Sequence, residues 1–207
     1  DRDGSGSIGT GAGTVDDPGD MMIIGNTTPR YSYSFRIEAS WNGFDISAFF
    51  QGVGKRDWYP TANKDDIYGA NQFWQLYGYT IPSFITYDFM DDVWSEQNLG
   101  GYFPRLRPIQ SYNGGPLGQN NDRYLQSVAY LRFKNLTIGY TLPVLKKYLS
   151  KLRIYVSGEN LCYWSPLKKH CKLIDPELAI SSGTYKGGTG TGYTMPRTFS
   201  FGVDITF

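Results

Sequence analysis

Residues 198–207 read TFSFGVDITF, and this stretch decides the class of fold. Phe199, Phe201, Val203, Ile205 and Phe207 fall on one side of an extended chain; Thr198, Ser200, Gly202, Asp204 and Thr206 fall on the other. A period of two predicts a strand with one apolar and one wet face. Apolar side chains lined up along one face need a cover, either a protein core or lipid.

Working outward, the same period recurs. From Tyr31, YSYSFRIEASW puts Tyr31, Tyr33, Phe35, Ile37, Ala39 and Trp41 on one side. Asn42-Gly43 is a strong hairpin signal. FDISAFFQ then returns with Phe44, Ile46, Ala48 and Phe50 on that side; Asp45, Ser47 and Gln51 lie opposite, with Phe49 the exception. VAYLRFKNLTIGYTL predicts a third strand whose alternation changes phase between Phe133 and Leu136, hence a β-bulge near Asn135. KLRIYVSGEN predicts a fourth, with Leu152, Ile154 and Val156 outward and Arg153, Tyr155, Ser157 and Glu159 inward. The terminal stretch is the fifth.

These strands match the ~9–11 residues that a tilted membrane strand needs. Their polar faces carry Arg36, Glu38, Arg132, Lys134, Arg153 and Glu159. Such charges are costly in a dry core and tolerated in a hydrated lumen. A soluble sandwich that turned them toward bulk water would show the same alternation. The connections weigh toward the barrel. Those after the first and third strands are short (WNG and PVLKKYLS), whereas those after the second and fourth run over about 52–127 and 163–195. Outer-membrane barrels alternate short periplasmic turns with long outer loops in this way. With the C-terminus in the periplasm, both long loops and the segment 1–30 fall on the outer side.

Composition agrees. A hydrophobic fraction of 40% and a net charge of +1 speak against a disordered tail and a nucleic-acid binder. With 17 Tyr, 12 Phe, 5 Trp and 25 Gly, the chain suits an all-β fold with long polar loops. No run approaches the roughly 18 apolar residues of a membrane-spanning helix, which leaves barrels open. The first residue is Asp1, with neither an initiator methionine nor a signal peptide. A mature chain or a piece of a longer one would begin so, and the strand count favours the piece.

The runs IIGNTTPRYSYSF, WNGFDISAFFQGVGKRDW, LRFKNLTIGYTLP, LRIYVSGENL and MPRTFSFGVDITF, in this order, resemble the C-terminal part of SusC/RagA-type TonB-dependent transporters. The resemblance covers nearly the whole chain. It implies a transmembrane antiparallel β-barrel of 22 strands, of which residues 31–207 supply the last five, with the plug and TonB box elsewhere in the polypeptide. It also implies that Phe207 serves as the assembly signal, and that the partners are TonB and a SusD-like surface lipoprotein. Five strands alone cannot close a barrel around a plugged lumen.

Within 1–30, DRDGSGSI spaces Asp1, Asp3, Ser5, Gly6 and the carbonyl of Ser7 as a calcium loop does, with oxygen ligands at alternate positions and a glycine at the turn. Ala12 stands where the closing acid belongs. Family members often run from such a loop into an acid shortly before IIGN, and here the insertion TGAGTVDD would displace that acid to Asp20. The expected structural calcium ligands are therefore Asp1, Asp3, Ser5, Ser7 and Asp20, and a solvated turn is the plainer alternative.

Other motifs point to no chemistry. GVGKRD lacks the leading glycine and the Ser/Thr of a phosphate-binding loop, and GGTGTG reads as a flexible loop. His170, in KKHCK, reads as part of a solvent-facing basic loop. Asp65-Asp66 and Asp91-Asp92 read as solvated acids rather than a glycosidase pair. Cys162 and Cys171 flank a loop outside the cell, where a disulfide is permitted and the sequence does not supply its geometry. The loop 52–127 is crowded with aromatic residues. Trp58, Tyr59, Trp74, Tyr77 and Trp94 are its candidates for substrate binding or lid contact, because rings stack on sugar faces and pack on peptide side chains.

Three classes of function follow: a TonB-driven importer of oligosaccharides or peptides, a surface β-rich binding or adhesion domain without a channel, and a calcium-dependent secreted enzyme. Without a catalytic constellation the third is set aside and the chain is read as a non-enzyme. The first is favoured.

Overall fold

The computed structural model describes residues 1–59, 89–103, 105, 121–143, 149–172, 174–179 and 195–207. Its main element is a five-stranded antiparallel sheet built from β1 (Ser32–Trp41), β2 (Phe44–Val53), β5 (Tyr130–Leu142), β6 (Lys151–Trp164) and β7 (Thr198–Thr206), in that spatial order. β3 (Asp57–Trp58) and β4 (Gln126–Ser127) form a small second sheet. Each strand of the main sheet neighbours the next one in the chain, so the sheet is an up-and-down arc. Asn42 and Gly43 take φ of 48° and 86°, the two left-handed residues that a tight hairpin turn requires.

The facing follows the period of two. Phe35 lies opposite Phe50, Ile37 opposite Ala48, and Ala39 opposite Ile46; Ile46 in turn meets Ile138, Ile138 meets Val156, and Val156 meets Phe201. Phe35, Phe50 and Phe133 stack on this face, with centroids 4.9 and 4.5 Å apart. The face is open: Ile37, Phe44, Ile138 and Ile205 are 58%, 55%, 42% and 52% exposed. Phe35, Ile46, Ile154 and Val203 lie exposed on it too. A soluble domain buries such a face, so this sheet is inside-out. The opposite face carries Arg36, Glu38, Asp45, Ser47, Thr137, Arg153, Glu159 and Asp204.

The expected phase change is present one residue early. Phe50 pairs with Phe133 and Phe49 with Asn135, which leaves Lys134 as the inserted residue. Across the same point on β6, Asn160 takes a φ of 51° and the strand continues to Trp164, four residues beyond the expected Asn160. It does so because Leu131–Phe133 need partners and find them in Cys162–Trp164. β5 begins at Tyr130 rather than Val128: the Val128 side chain is fully buried and its N–H donates to the Arg56 carbonyl at 2.9 Å.

The buried core lies beside the sheet, at the end where the long connections leave it. Trp58, Val93, Phe103, Tyr124, Val128, Leu167, Cys171, Ile174 and Ala179 form one cluster, with Tyr59 and Tyr102 packed on it. A 3₁₀ turn, Pro166–Lys169, places Leu167 there; Ser165 caps it by accepting from the Leu167 N–H at 3.2 Å and ties it to the sheet by donating to the Ala129 carbonyl at 2.7 Å. The segment 1–30 joins the same end. The Asp57 N–H donates to the Asn26 carbonyl (2.8 Å), the Asn26 N–H to the Asp57 carboxylate (2.9 Å), and the Arg30 N–H to the Lys55 carbonyl (2.9 Å).

Candidate functional site: the charged face and its outer platform

At the short-turn end of the polar face, Arg153 on β6 makes a two-bond fork with Asp45 on β2, Nε to Oδ1 at 2.9 Å and Nη2 to Oδ2 at 2.6 Å. Its Nη1 reaches Asp204 on β7 at 3.0 Å. β5 lies between Arg153 and Asp45, and Gly139 is where the guanidinium crosses it. A Cβ at Gly139 would stand 2.6 Å from Nη2, 2.7 Å from Nε and 2.7 Å from Asp45 Oδ1. Tyr155 lies under the guanidinium at 4.8 Å and its ring covers Gly202 on β7. Two glycines thus let long side chains lie across neighbouring strands, and one arginine joins β2, β6 and β7.

Higher on this face, Arg36 pairs with Glu38 at 3.4 Å, Ser47 donates to Glu38 at 3.2 Å, and the Arg36 guanidinium lies 5.5 Å from the Phe49 ring. That contact accounts for Phe49, the aromatic residue on the polar side of β2. Near the long-loop end the charges are covered. Arg132 pairs with Asp175 and, at 2.9 Å, with Glu177; Lys134 also reaches Glu177 at 2.9 Å.

The expected metal ligands divide into two groups. Carboxylate oxygens of Asp1, Asp3 and Asp20 lie within 4.8 Å of one another. The detour is real: the Asp20 N–H donates to the Gly9 carbonyl at 2.9 Å and the Gly9 N–H to Asp20 Oδ2 at 2.7 Å, so residues 10–19 leave and return at one point. The Arg2 N–H, then that of Gly9, hold the Asp20 carboxyl below its ordinary range. Ser5 and Ser7 bond to each other instead, Ser5 Oγ donating to the Ser7 carbonyl at 3.0 Å.

Of the aromatic candidates, Trp58 is 2% exposed at the centre of the cluster. A direct contact through its ring is therefore corrected: it builds the platform from within. Tyr59 is half-buried on the cluster, and its hydroxyl accepts from Asn121 Nδ2 at 3.2 Å. Trp94 is half-buried and held by its N–H to the Phe103 carbonyl at 2.9 Å. Trp74 and Tyr77, with Asp65-Asp66 and the GGTGTG run, lie outside the described residues. Phe207 follows β7 and is 88% exposed.

One local reading is overturned. His170 is no solvated loop residue: it stacks on Tyr102 with centroids 3.5 Å apart, meets Phe103 edge-on, and lies 3.9 Å from Asp92. Burial, aided by Lys169, pushes its pKa down against the pull of Asp92. Cys162 and Cys171 are both free thiols, and burial pushes the Cys171 thiol far up. Reasoning from the sequence missed Gly139 and the Arg132 cluster. The two cations in LRFKN and the two acids in IDPEL were the available signal for the latter.

No protein-family model matches the chain. Over its full length it is similar to TonB-dependent receptor P3 of Formosa agariphila, 29% identical over 217 residues that cover 100% of this chain and 18% of the receptor. Among solved structures it is similar to the RagAB peptide importer in its open-open state (TM-score 0.58, 20% identity) and to the RagAB peptide transporter (TM-score 0.53, 19% identity). Each match covers 89% of this chain and 18% of the other. The fold is thus that of the RagAB importer's corresponding part, and the resemblance to SusC/RagA-type TonB-dependent transporters is borne out. The chain spans 18% of the length of these relatives. Among the described residues, no helix is long and apolar enough to cross a membrane.

Proposed function

We propose that this chain is the C-terminal arc of a 22-stranded outer-membrane barrel, working as a TonB-dependent importer of oligosaccharides or peptides with a SusD-like surface lipoprotein. The observation that carries the reading is the two-faced sheet, with one face apolar and open and the other carrying paired charges, which suits a wall between lipid and a hydrated lumen. No bond is made or broken. A wide barrel needs its lumen blocked at rest, and a polar wall holds a plug by contacts that can be exchanged for water. The platform of packed outer loops seats the lipoprotein lid, substrate is held between lid and plug, and TonB releases it inward by pulling on the plug.

Deleting residues around Trp74 and Tyr77 in the full-length protein tests this. Lid association or nutrient uptake falls while the barrel stays assembled, as judged by heat-modifiable migration. Removing Phe207 does the reverse and lowers assembly. Unchanged uptake together with unchanged lid association after the loop deletion would count against the importer reading.

The carboxylates of Asp1, Asp3 and Asp20 lie close enough together to hold one calcium ion, with the hydroxyl of Ser5 and the carbonyl of Ser7 as its further ligands. Hard oxygen donors gathered from both ends of a loop suit that ion and give it a stiffening role. Asp3→Asn with Asp20→Asn should abolish a calcium-dependent rise in the resistance of the 10–19 loop to proteolysis. Equal cleavage with calcium and with chelator in the parent protein would reject the site.

A further inference from the structure

Arg132 and Lys134 flank the outward-facing Phe133 and share the polar face near the outer end by ordinary alternation, with the bulge falling at Lys134. Over them lies the segment 174–179, which comes from the long connection after β6. Asp175 shapes that segment: its side chain accepts the Glu177 N–H at 3.0 Å and its carbonyl accepts those of Leu178 and Ala179 at 3.0 and 3.1 Å. Both carboxylates then point at β5. Ile174 and Ala179, at the two ends of the turn, are sunk in the platform core. Tyr163 completes the arrangement, with Arg132 4.8 Å and Lys168 3.8 Å from its ring centre.

The cluster holds two cations and two carboxylates. The side chains of Arg132, Asp175, Glu177 and Lys134 are 3%, 5%, 12% and 19% exposed. A buried set of this kind contributes little net stability compared with apolar side chains, but removing one member leaves a buried charge unpaired and is heavily penalised. Its effect is to fix position. Because the segment sits on the polar side of the sheet, it leans over the inner wall instead of away from the barrel.

We propose that Arg132, Lys134, Asp175 and Glu177 form a latch that holds residues 165–172 and 174–179 over the inner wall as a fixed part of the outer mouth, not as a lid that swings during transport. That the arm lies at the mouth of a lumen rests on the importer reading; the latch itself rests on the ion cluster alone. The four side chains are positioning residues, and none needs to touch substrate.

Cys171 is a built-in reporter, since its thiol is buried in the core to which the arm is tied. The assay uses the full-length protein in intact cells, with Cys162→Ser and a membrane-impermeant maleimide. Labelling of Cys171 is slow in the parent and rises on the order of a hundredfold in Arg132→Met, which strands the buried Asp175 carboxylate and leaves Glu177 with Lys134 alone. Replacing all four residues by apolar ones (Arg132→Met, Lys134→Met, Asp175→Leu, Glu177→Met) brings the rate back toward the parent's. Energising or de-energising the cells leaves the parent's rate unchanged. A parent rate equal to that of an exposed thiol, or no rise in an assembled Arg132→Met barrel, overturns the latch. A large rise on energisation overturns the fixed arm. If Arg132→Met fails to assemble, Lys134→Met, at the exposed edge of the cluster, decides by the same criterion with a rise of roughly tenfold. Transport is not read here, so failure of the importer reading would appear in uptake alone.

Discussion

Replacing Gly139 by alanine tests how the polar face is wired. The new Cβ would stand 2.6 Å from Arg153 Nη2 and 2.7 Å from Asp45 Oδ1, so the guanidinium can no longer cross β5 to Asp45. The fork that is lost joins side chains that are 18% and 33% exposed. Its worth lies between the ~0.2–1 kcal/mol of an exposed pair and the ~1.5–3 kcal/mol of a hydrogen bond to a charged group, hence about 1–2 kcal/mol. Alanine alone favours a strand interior over glycine by roughly 0.5–1 kcal/mol. In an Arg153→Met background only the Asp45 carboxylate remains close, and without the fork to hold it there it can turn aside, so Gly139→Ala should then be neutral or slightly stabilising. The assay is a double-mutant cycle on urea unfolding of the full-length barrel in vesicles, and the expected coupling is about 1–2 kcal/mol. The same cost for Gly139→Ala in both backgrounds would refute the crossing.

Two further outcomes follow from facing and burial. Val156 stands near the middle of β6 on the apolar face, beside Ser157 on the polar one. Val156→Arg should destabilise the folded barrel in vesicles by about 2–4 kcal/mol, and Ser157→Arg by roughly 0.5 kcal/mol or less. His170 is held neutral in the platform, so the unfolded loop binds more protons than the folded one as pH falls below the free histidine value of 6.5. Stability of the platform is present above that pH and is lost as pH falls toward the depressed native value. Labelling of Cys171, corrected for thiol ionisation, should therefore speed up on acidification in the parent and stay flat in His170→Phe, which keeps the stack on Tyr102.

The strands were legible because their causes are local. Alternation in residues 32–41, 44–53 and 198–206, the Asn42-Gly43 turn, and the phase slip beside Lys134 can each be read within a dozen residues. The return of Asp20 to the Asp1–Asp3 loop was legible for a similar reason, since a glycine-rich excursion can close on itself. The platform was not. Its core gathers Trp58, Val93, Tyr124 and Leu167 from segments far apart in the chain, and no period marks them. His170 was misread because KKHCK looks solvated in isolation, whereas Tyr102 and Phe103 arrive from another loop to cover it. Gly139 acquires its meaning only when β2, β5 and β6 lie side by side. Sequence periodicity therefore gave the orientation of the wall, and tertiary contact gave the joints.

Adjacent residues on β7 offer the most direct test of the account. Val203 lies on the open apolar face opposite Ile154, and Asp204 on the polar face opposite Arg153. Nitroxide labels placed singly at Val203 and Asp204 in the full-length protein, reconstituted in a lipid bilayer, can be challenged with oxygen and with a water-soluble nickel chelate. The label at Val203 should relax with oxygen and be shielded from nickel, and the label at Asp204 should respond more to nickel than to oxygen. Equal access of nickel to both positions would mean that no lipid covers the apolar face, and the membrane wall would have to be abandoned.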